Sequence, residues 1–383
     1  MSSITDAVYL DHAATSWPKP DSVRRCVLAC FTELFVNAGR SGHAASLRAA
    51  ERVFETREKL ASLLGVGESG DLVFTSGATE GINLILKGFL KPGDLVFVSP
   101  MEHNAVMRPL LGLAETRGVR VEALPADRFG RVDCDAARRM GRDDPPRLVA
   151  VAHASNVNGA VQDLAALREA LPDSALLVDA AQTAGVLPID VGRDGIDFLA
   201  LSAHKGLLGP TGLGATYLHP RHDVRPLLEG GTGSRSADTR HPEFRPDRYE
   251  AGTLNLHGIA GLSGALEHLA RADLGGERKR RLTGILVAAL VEMPGVRVHS
   301  PADGSALMAA FTVEHLPPDR VARRLEHGYG ILCRPGLQCA PRAHRHLGTF
   351  PAGVVRLSPG FGNTEAQMRR AADAVGHIAG EAR

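Results

Sequence analysis

Seven short apolar runs, separated by stretches with helical spacing, limit what this chain can fold into more than any other feature. They read "DLVFTS", "DLVFVSP", "RVEALPA", "RLVAVAHAS", "ALLVDAA", "DFLALSAH" and "GATYL", between about Leu72 and Leu218. Most are continuously apolar rather than alternating, the pattern of strands buried on both faces. Between them the spacing predicts helices such as Gly81–Leu90, Ala105–Thr116 and Leu164–Ala170. This alternation points to an α/β fold: a mainly parallel seven-stranded sheet flanked by helices on both sides.

The flanks have a different character. Ala44–Leu64 predicts a long amphipathic helix with Leu47, Val53, Phe54, Leu60 and Leu63 on or near one face. Residues 219–257 are rich in Gly, Pro, Arg and Asp and read as a long irregular segment. Segments of that length usually serve a function. Beyond it come predicted helices at 258–272, 276–292, 318–327 and 364–380, and strands at 296–300, 306–314, 330–334 and 353–358. Thr364 and Gln367 fit a capping box for the last helix. The expected division is a larger unit over 15–257 and a smaller α+β unit built from 1–14 and 258–383.

Charge and cysteine usage narrow the function classes. Lys plus Arg is 44 and Asp plus Glu is 43, a net charge of +1, so no basic footprint for nucleic acid or a membrane surface is expected. Cys26, Cys30, Cys134, Cys333 and Cys339 are odd in number and form no CxxC pair, which argues against a disulfide framework or a zinc ribbon. "HRH" at His344–His346 is not a zinc-helix spacing and no HExxH occurs, so no metal is expected. The N-terminal stretch lacks a signal-peptide core, and no apolar run reaches membrane-spanning length. The expectation is a soluble cytoplasmic protein with free thiols.

Parallel sheets bind ligands beyond the carboxyl ends of their strands. At those ends the sequence puts Ser76–Glu80, a small-residue turn opening a helix and suited to phosphate. It also puts Glu102, His103 and Asn104 after the second run, Asn156 after the fourth, Asp179 and Gln182 after the fifth, and Lys205 after "DFLALSAH". Each has an ordinary structural role open to it: a cap, a core histidine, a solvated lysine. Together they meet the needs of pyridoxal phosphate. The phosphate suits a helix N-terminus, the ring nitrogen an anionic partner, and the aldehyde an unprotonated lysine. Partial burial lowers a lysine's pKa and supplies that neutral amine.

At this point the motifs become specific. "YLDHAATS", "TSGATEGIN", "MEHNAV", "HASNVNGAV", "LVDAAQTAG", "SAHKGLLGPTGLG", "YEAGTLN" and "GLQCAPRAHRHLGT" occur in order along nearly the whole chain. The chain thereby resembles the class V aminotransferase group of pyridoxal-phosphate enzymes, and within it the cysteine desulfurases and selenocysteine lyases. The resemblance implies fold type I. It implies that Lys205 carries the cofactor, Asp179 pairs with the ring nitrogen, Gln182 meets the ring hydroxyl and His103 stacks on the ring. Thr79, Ser202, His204 and the backbone N–H of Ala78 would bind the phosphate, with Gly252 and Thr253 reaching it from the partner subunit of a homodimer. Arg356 would clamp the substrate carboxylate, with Arg334 nearby, and Asn156, Ala13 and Ala14 would line the amino-acid pocket.

The same resemblance gives Cys339 the role of sulfur acceptor. The residues agree: it sits among Arg334, Arg342 and Arg345, charges that favour a thiolate. The implied reaction removes sulfur from L-cysteine, leaving alanine and a persulfide on Cys339, from which an acceptor thiol, on a sulfur-acceptor protein for instance, takes the sulfur. Two positions depart from the group's pattern. Gln338 stands where many relatives carry His beside the cysteine, and His12 where Asn is common. The alternatives are a selenocysteine lyase, another class V lyase or aminotransferase acting on a different amino acid, and a non-catalytic scaffold that binds a sulfur carrier.

Overall fold

The computed structural model describes residues 7–33, 36–39, 41–271 and 276–382. Its centre is a seven-stranded sheet made of β2 (Leu72–Thr75), β3 (Leu95–Val98), β4 (Arg120–Ala123), β5 (Leu148–Ala152), β6 (Ala175–Asp179), β7 (Phe198–Ser202) and β8 (Gly214–Leu218), in the order β2-β8-β7-β6-β5-β3-β4. β8 runs antiparallel to both its neighbours, and the other pairs are parallel. All strands but β8 therefore point the same way. Their carboxyl ends at Thr75, Val98, Ala152, Asp179 and Ser202 share one edge.

The continuous apolar runs have a direct physical reason. Successive side chains of a strand point to opposite faces. Leu72, Phe74, Phe97, Val149, Val151, Leu176, Val178, Leu199 and Leu201 enter one core. Val73, Val96, Val98, Leu148, Ala150, Leu177, Phe198 and Ala200 enter the other. Each fully buried Val or Leu contributes about 1.5–3 kcal/mol, so both faces must be covered. α3 (Ala78–Phe89) and α4 (Asn104–Arg117) cover the second face. α2 (Ala44–Leu63), α5 (Cys134–Asp143), α6 (Leu164–Ala170) and α7 (Leu256–Arg271) contribute to the first. Gly81 lets α3 lie close on β8: a Cβ there would stand 1.9 Å from Thr216 Oγ1.

Two local expectations need correcting. α2 does not bury the apolar set read from its sequence. Leu47 and Phe54 are 59% and 58% exposed, while Ala49, Val53, Thr56, Arg57 and Leu60 are buried. Arg57 goes inside because Glu250 meets it there in a two-pronged pair, Nη1–Oε1 2.6 Å and Nη2–Oε2 2.9 Å. α7, expected to open the smaller unit, packs instead on α2 and on α1 (Asp21–Glu33), a helix the periodicity did not reveal. Its Ile259, Leu262 and Ala265 join the core of the large sheet.

The smaller unit is a four-stranded antiparallel sheet in the order β12 (Arg334–Gly336), β13 (Val354–Leu357), β10 (Ala309–Val313), β9 (Val296–Val298). α8 (Gly276–Val291), α9 (Pro318–Tyr329) and α11 (Glu365–Glu381) share its core, and α10 (Pro341–His346) follows β12. Thr364 and Gln367 form the expected capping box on α11. β1 (Val8–Tyr9) pairs in parallel with β11 (Ile331–Leu332), which brings the N-terminal segment against this unit. Residues 219–255 carry no helix or strand. Among the described residues, no helix is long and apolar enough to cross a membrane.

Candidate active site

The shared strand edge gathers Ala78, Thr79, His103, Asn156, Asp179, Gln182, Ser202, His204 and Lys205 around one hollow. They come from the turns after β2, β3, β5, β6 and β7, so the common strand direction is what assembles them. Gly214 permits the closest approach. It opens β8 beneath the β2–α3 turn, and a Cβ there would lie 2.5 Å from Gly77 Cα.

The α3 end of the hollow suits an anion. Ala78 N donates to Ser202 Oγ at 3.1 Å, which ties the helix start to the end of β7. Free N–H groups and the helix dipole make such an end attractive to negative charge. His204 sits beside it with Nδ1 buried and unpartnered. Its pKa is lowered to about 4 by burial and by the charges of Lys205 and Lys19, so the ring is neutral near pH 7.

At the other end Asp179 is 7% exposed and forms no salt bridge among the described residues. Its Oδ1 accepts from Ala181 N at 2.9 Å. Lys205 makes neither a hydrogen bond nor an ion pair among the described residues. Burial, with Arg356 and Arg334 nearby, lowers its pKa against the opposing pull of Asp179. A partly buried amine without a partner favours its neutral form. The backbone beside it is clamped, because the His204 carbonyl accepts from Lys19 Nζ at 2.8 Å, Ser16 N at 3.0 Å and Ser16 Oγ at 3.1 Å. Sequence reasoning missed this clamp. Its donors lie almost two hundred residues away in sequence, and nothing local marks them.

His103 caps α4, with Nδ1 accepting from Ala105 N at 3.0 Å. The neutral ring must then carry its proton on Nε2. Burial lowers its pKa, against the pull of Asp179. Glu102, one residue back, is fully buried, with Oε1 accepting from Ser99 Oγ at 2.5 Å and Ala152 N at 2.9 Å. Burial pushes it up to about 8, a neutral acid near pH 7.

Gln182 Nε2 donates to the Ala13 carbonyl at 3.0 Å, which places Ala13 beside the hollow; Ala14 follows it in the same turn. Arg356 is 2% exposed. Its Nη1 donates to the Asn156 carbonyl at 2.7 Å and its Nη2 to Asp11 Oδ1 at 2.6 Å, while Nε has no partner. Asp11 as the holder of this guanidinium was not foreseen. Arg334 is the register partner of Arg356 across β12 and β13.

Cys339 is exposed, and it lies near enough to Lys205 to act on its charge. The turn that carries it is pinned on both sides. Asn156 Nδ2 donates to the Gln338 carbonyl at 2.7 Å and Asn104 N to the Cys339 carbonyl at 2.9 Å. Gln338 and Cys339 both have left-handed backbones, φ 42° and 59°, which costs about 1–3 kcal/mol each and needs such fixing. The Gln338 side chain turns inward, with Oε1 3.1 Å from His344 Nε2, and so acts as a strut for the turn. Cys333, by contrast, is pushed up to about 12 by burial and stays a thiol. Gly252 and Thr253 are exposed, and Gly252 lines a separate hollow with Arg57 and Glu250 rather than the one at Lys205.

Known proteins share this sequence and fold along most of the chain. The sequence model of the family described as "Aminotransferase class-V" matches residues 8–370. The probable cysteine desulfurase of Methanothermobacter thermautotrophicus is 34% identical over 387 residues, 98% of this chain and 96% of that protein. The cysteine desulfurase CsdA of Escherichia coli is 34% identical over 380 residues, 96% of this chain and 93% of its own length. The apo structure of cysteine desulfurase from Thermococcus onnurineus NA1 superposes with a TM-score of 0.91 at 29% identity, covering 98% of this chain and 96% of that one.

Proposed function

The chain belongs to the aminotransferase class-V family, and on that footing we propose that it is a pyridoxal-phosphate-dependent cysteine desulfurase. The observation that carries this reading is the unpartnered, partly buried Lys205, on one strand edge with Asp179, which has no salt bridge among the described residues, and with the N-terminus of α3. The residues fit the cofactor. His204 Nδ1 is a buried polar atom still lacking a partner, the α3 start suits a phosphate, and Asp179 is a buried carboxylate without a salt bridge among the described residues. Bound there, pyridoxal phosphate would supply an electron sink for the bonds around the substrate's α-carbon.

The chain's own residues do the rest. Lys205 Nζ, released from any competing ion pair, takes and returns the proton at the α-carbon. His103 Nε2 carries a proton over the same hollow. Arg356, held by Asp11 and the Asn156 carbonyl, is pre-oriented for a carboxylate. The Cys339 thiolate attacks the substrate sulfur. One S–S bond forms as the C–S bond breaks, so L-cysteine and the thiol become alanine and a persulfide. Exposure of Cys339 gives an acceptor thiol, including one on a protein, access to that sulfur.

A homodimer completes the reading. Gly252 and Thr253 are exposed, as residues that serve a partner's phosphate site would be, and Leu28, Leu47 and Phe54 expose apolar area on α1 and α2. The test is alanine and sulfide production from L-cysteine with a thiol reductant, in wild type and Cys339→Ala. Equal production in both would remove Cys339 from the reaction, and no alanine from the wild type would remove cysteine as the substrate.

A further inference from the structure

Glu102 is a fully buried acid that no step of the reaction uses. It bridges two residues that line the hollow, His103 and Ala152. We propose that Glu102 is a positioning residue for the reaction, fixing His103 over the hollow through the turn between β3 and α4. The role rests on the hollow being the cofactor site, and it acts only through His103.

Two sets of contacts converge on one carboxyl oxygen. β3 pairs with β5 as far as Val98 and Ala150, and there the ladder between them ends. Two residues further along β5, Glu102 Oε1 accepts from Ala152 N at 2.9 Å, in place of a strand carbonyl. His153 N, next in the chain, turns the other way and donates to the Asp179 carbonyl at 3.0 Å. The same Oε1 of Glu102 accepts from Ser99 Oγ at 2.5 Å, and Ser99 Oγ accepts in turn from Met101 N at 3.2 Å. The turn from Ser99 to His103 is thus closed on itself and tied to β5. Ala152 is in register with Asp179 across β5 and β6, so the tie reaches the residue beside the site's own carboxylate. His103 follows Glu102 directly and caps α4 through Nδ1, so a shift of Glu102 moves the ring.

The contacts also set the charge of this strut. Oε2 is buried with no partner, and Glu102 forms no ion pair among the described residues. A carboxylate there is costly, whereas the acid needs no counter-charge. Burial is the main cause that brings its pKa to about 8; Asp179 of β6 favours the acid and Arg342 of α10 opposes it. Near pH 7 the turn is therefore braced without a second negative charge near Asp179.

Holoenzyme of wild type, Glu102→Gln and Glu102→Ala is compared on L-cysteine across the pH range on either side of pH 8. Glu102→Ala should lower kcat at least tenfold with KM within threefold. Glu102→Gln keeps an oxygen for Ser99 and Ala152 and carries no charge. It should rescue kcat near pH 7 to within threefold of wild type, and it should lack the alkaline limb near pH 8 that ionisation of Glu102 gives the wild type. Urea midpoints provide a readout apart from turnover. The unfolded chain loses the Glu102 proton near its ordinary value of 4.5 and the folded chain near 8. Between those values the wild-type midpoint should fall relative to that of Glu102→Gln as pH rises, and above them the gap should stay constant. A Glu102→Ala kcat within threefold of wild type, a Glu102→Gln variant as slow as Glu102→Ala, an alkaline limb that survives in Glu102→Gln, or a midpoint gap independent of pH overturns the proposal. If Glu102→Ala does not fold, the pH profile and midpoints of Glu102→Gln decide. Failure of the desulfurase reading is distinct, because wild type itself would then make no alanine.

Discussion

Asp179→Asn isolates one charge with little else disturbed. The asparagine keeps an Oδ1 that accepts from Ala181 N, now at 2.9 Å, and matches the aspartate in size at a site only 7% exposed. Fold stability should therefore change little. What disappears is the negative charge, and the hollow offers no substitute, since no other carboxylate lines it. A hydrogen bond to a charged group is worth about 1.5–3 kcal/mol. At 1.4 kcal/mol per decade that is about a 10–150-fold weaker hold on pyridoxal phosphate. Apoprotein of wild type and variant would be titrated with the cofactor and followed by absorbance, with circular dichroism confirming equal folding. Affinities within threefold of each other would show that the Asp179 charge does not hold the cofactor, and the functional reading would lose its anionic partner.

The remaining expectations concern stability. Glu250→Ala leaves the Arg57 guanidinium buried, with the Leu72 carbonyl at 2.7 Å and the Phe74 ring, 4.6 Å away, as its remaining partners. It should cost about 3–5 kcal/mol, and Arg57→Met/Glu250→Leu should recover only part of that, because Phe74 N and the Leu72 carbonyl then lose their side-chain partners; both are read from urea midpoints. Acid should destabilise the fold well before the carboxylates titrate. His12 is lowered to about 3, and His153, His299 and His344 to about 4, all chiefly by burial. Below about pH 6.5 the unfolded chain binds protons at these rings that the folded one refuses. Stability should thus fall as pH drops from 6.5 toward 4, by about 1.4 kcal/mol per pH unit for each such ring. Urea midpoints unchanged between pH 7 and pH 5 would contradict this.

The sequence made the central sheet readable because burial on both faces writes an unbroken apolar run, and β5, β6 and β7 each carry one. The residues after those strands were readable for the same reason, since a parallel sheet puts its chemistry at one edge. Partnerships between distant segments were not. Asp11 with Arg356, Arg57 with Glu250, and the Ser16 and Lys19 donors on the His204 carbonyl join residues from about 185 to 345 positions apart. No local pattern encodes such a pair. α2 shows the consequence: residue type alone put Leu47 and Phe54 inside and left Arg57 out, until a buried carboxylate reversed the preference. Gln338 is a similar case. As a letter beside Cys339 it marks only a departure from the group's pattern, and in the fold it braces the turn through His344.

The central claim is that Lys205 is the amine that joins the cofactor. Borohydride reduction of the loaded protein, followed by peptide mapping, tests it directly. A reduced pyridoxyl mass on Lys205 is the predicted result. A loaded protein whose label sits on another lysine, or on none, would contradict the account.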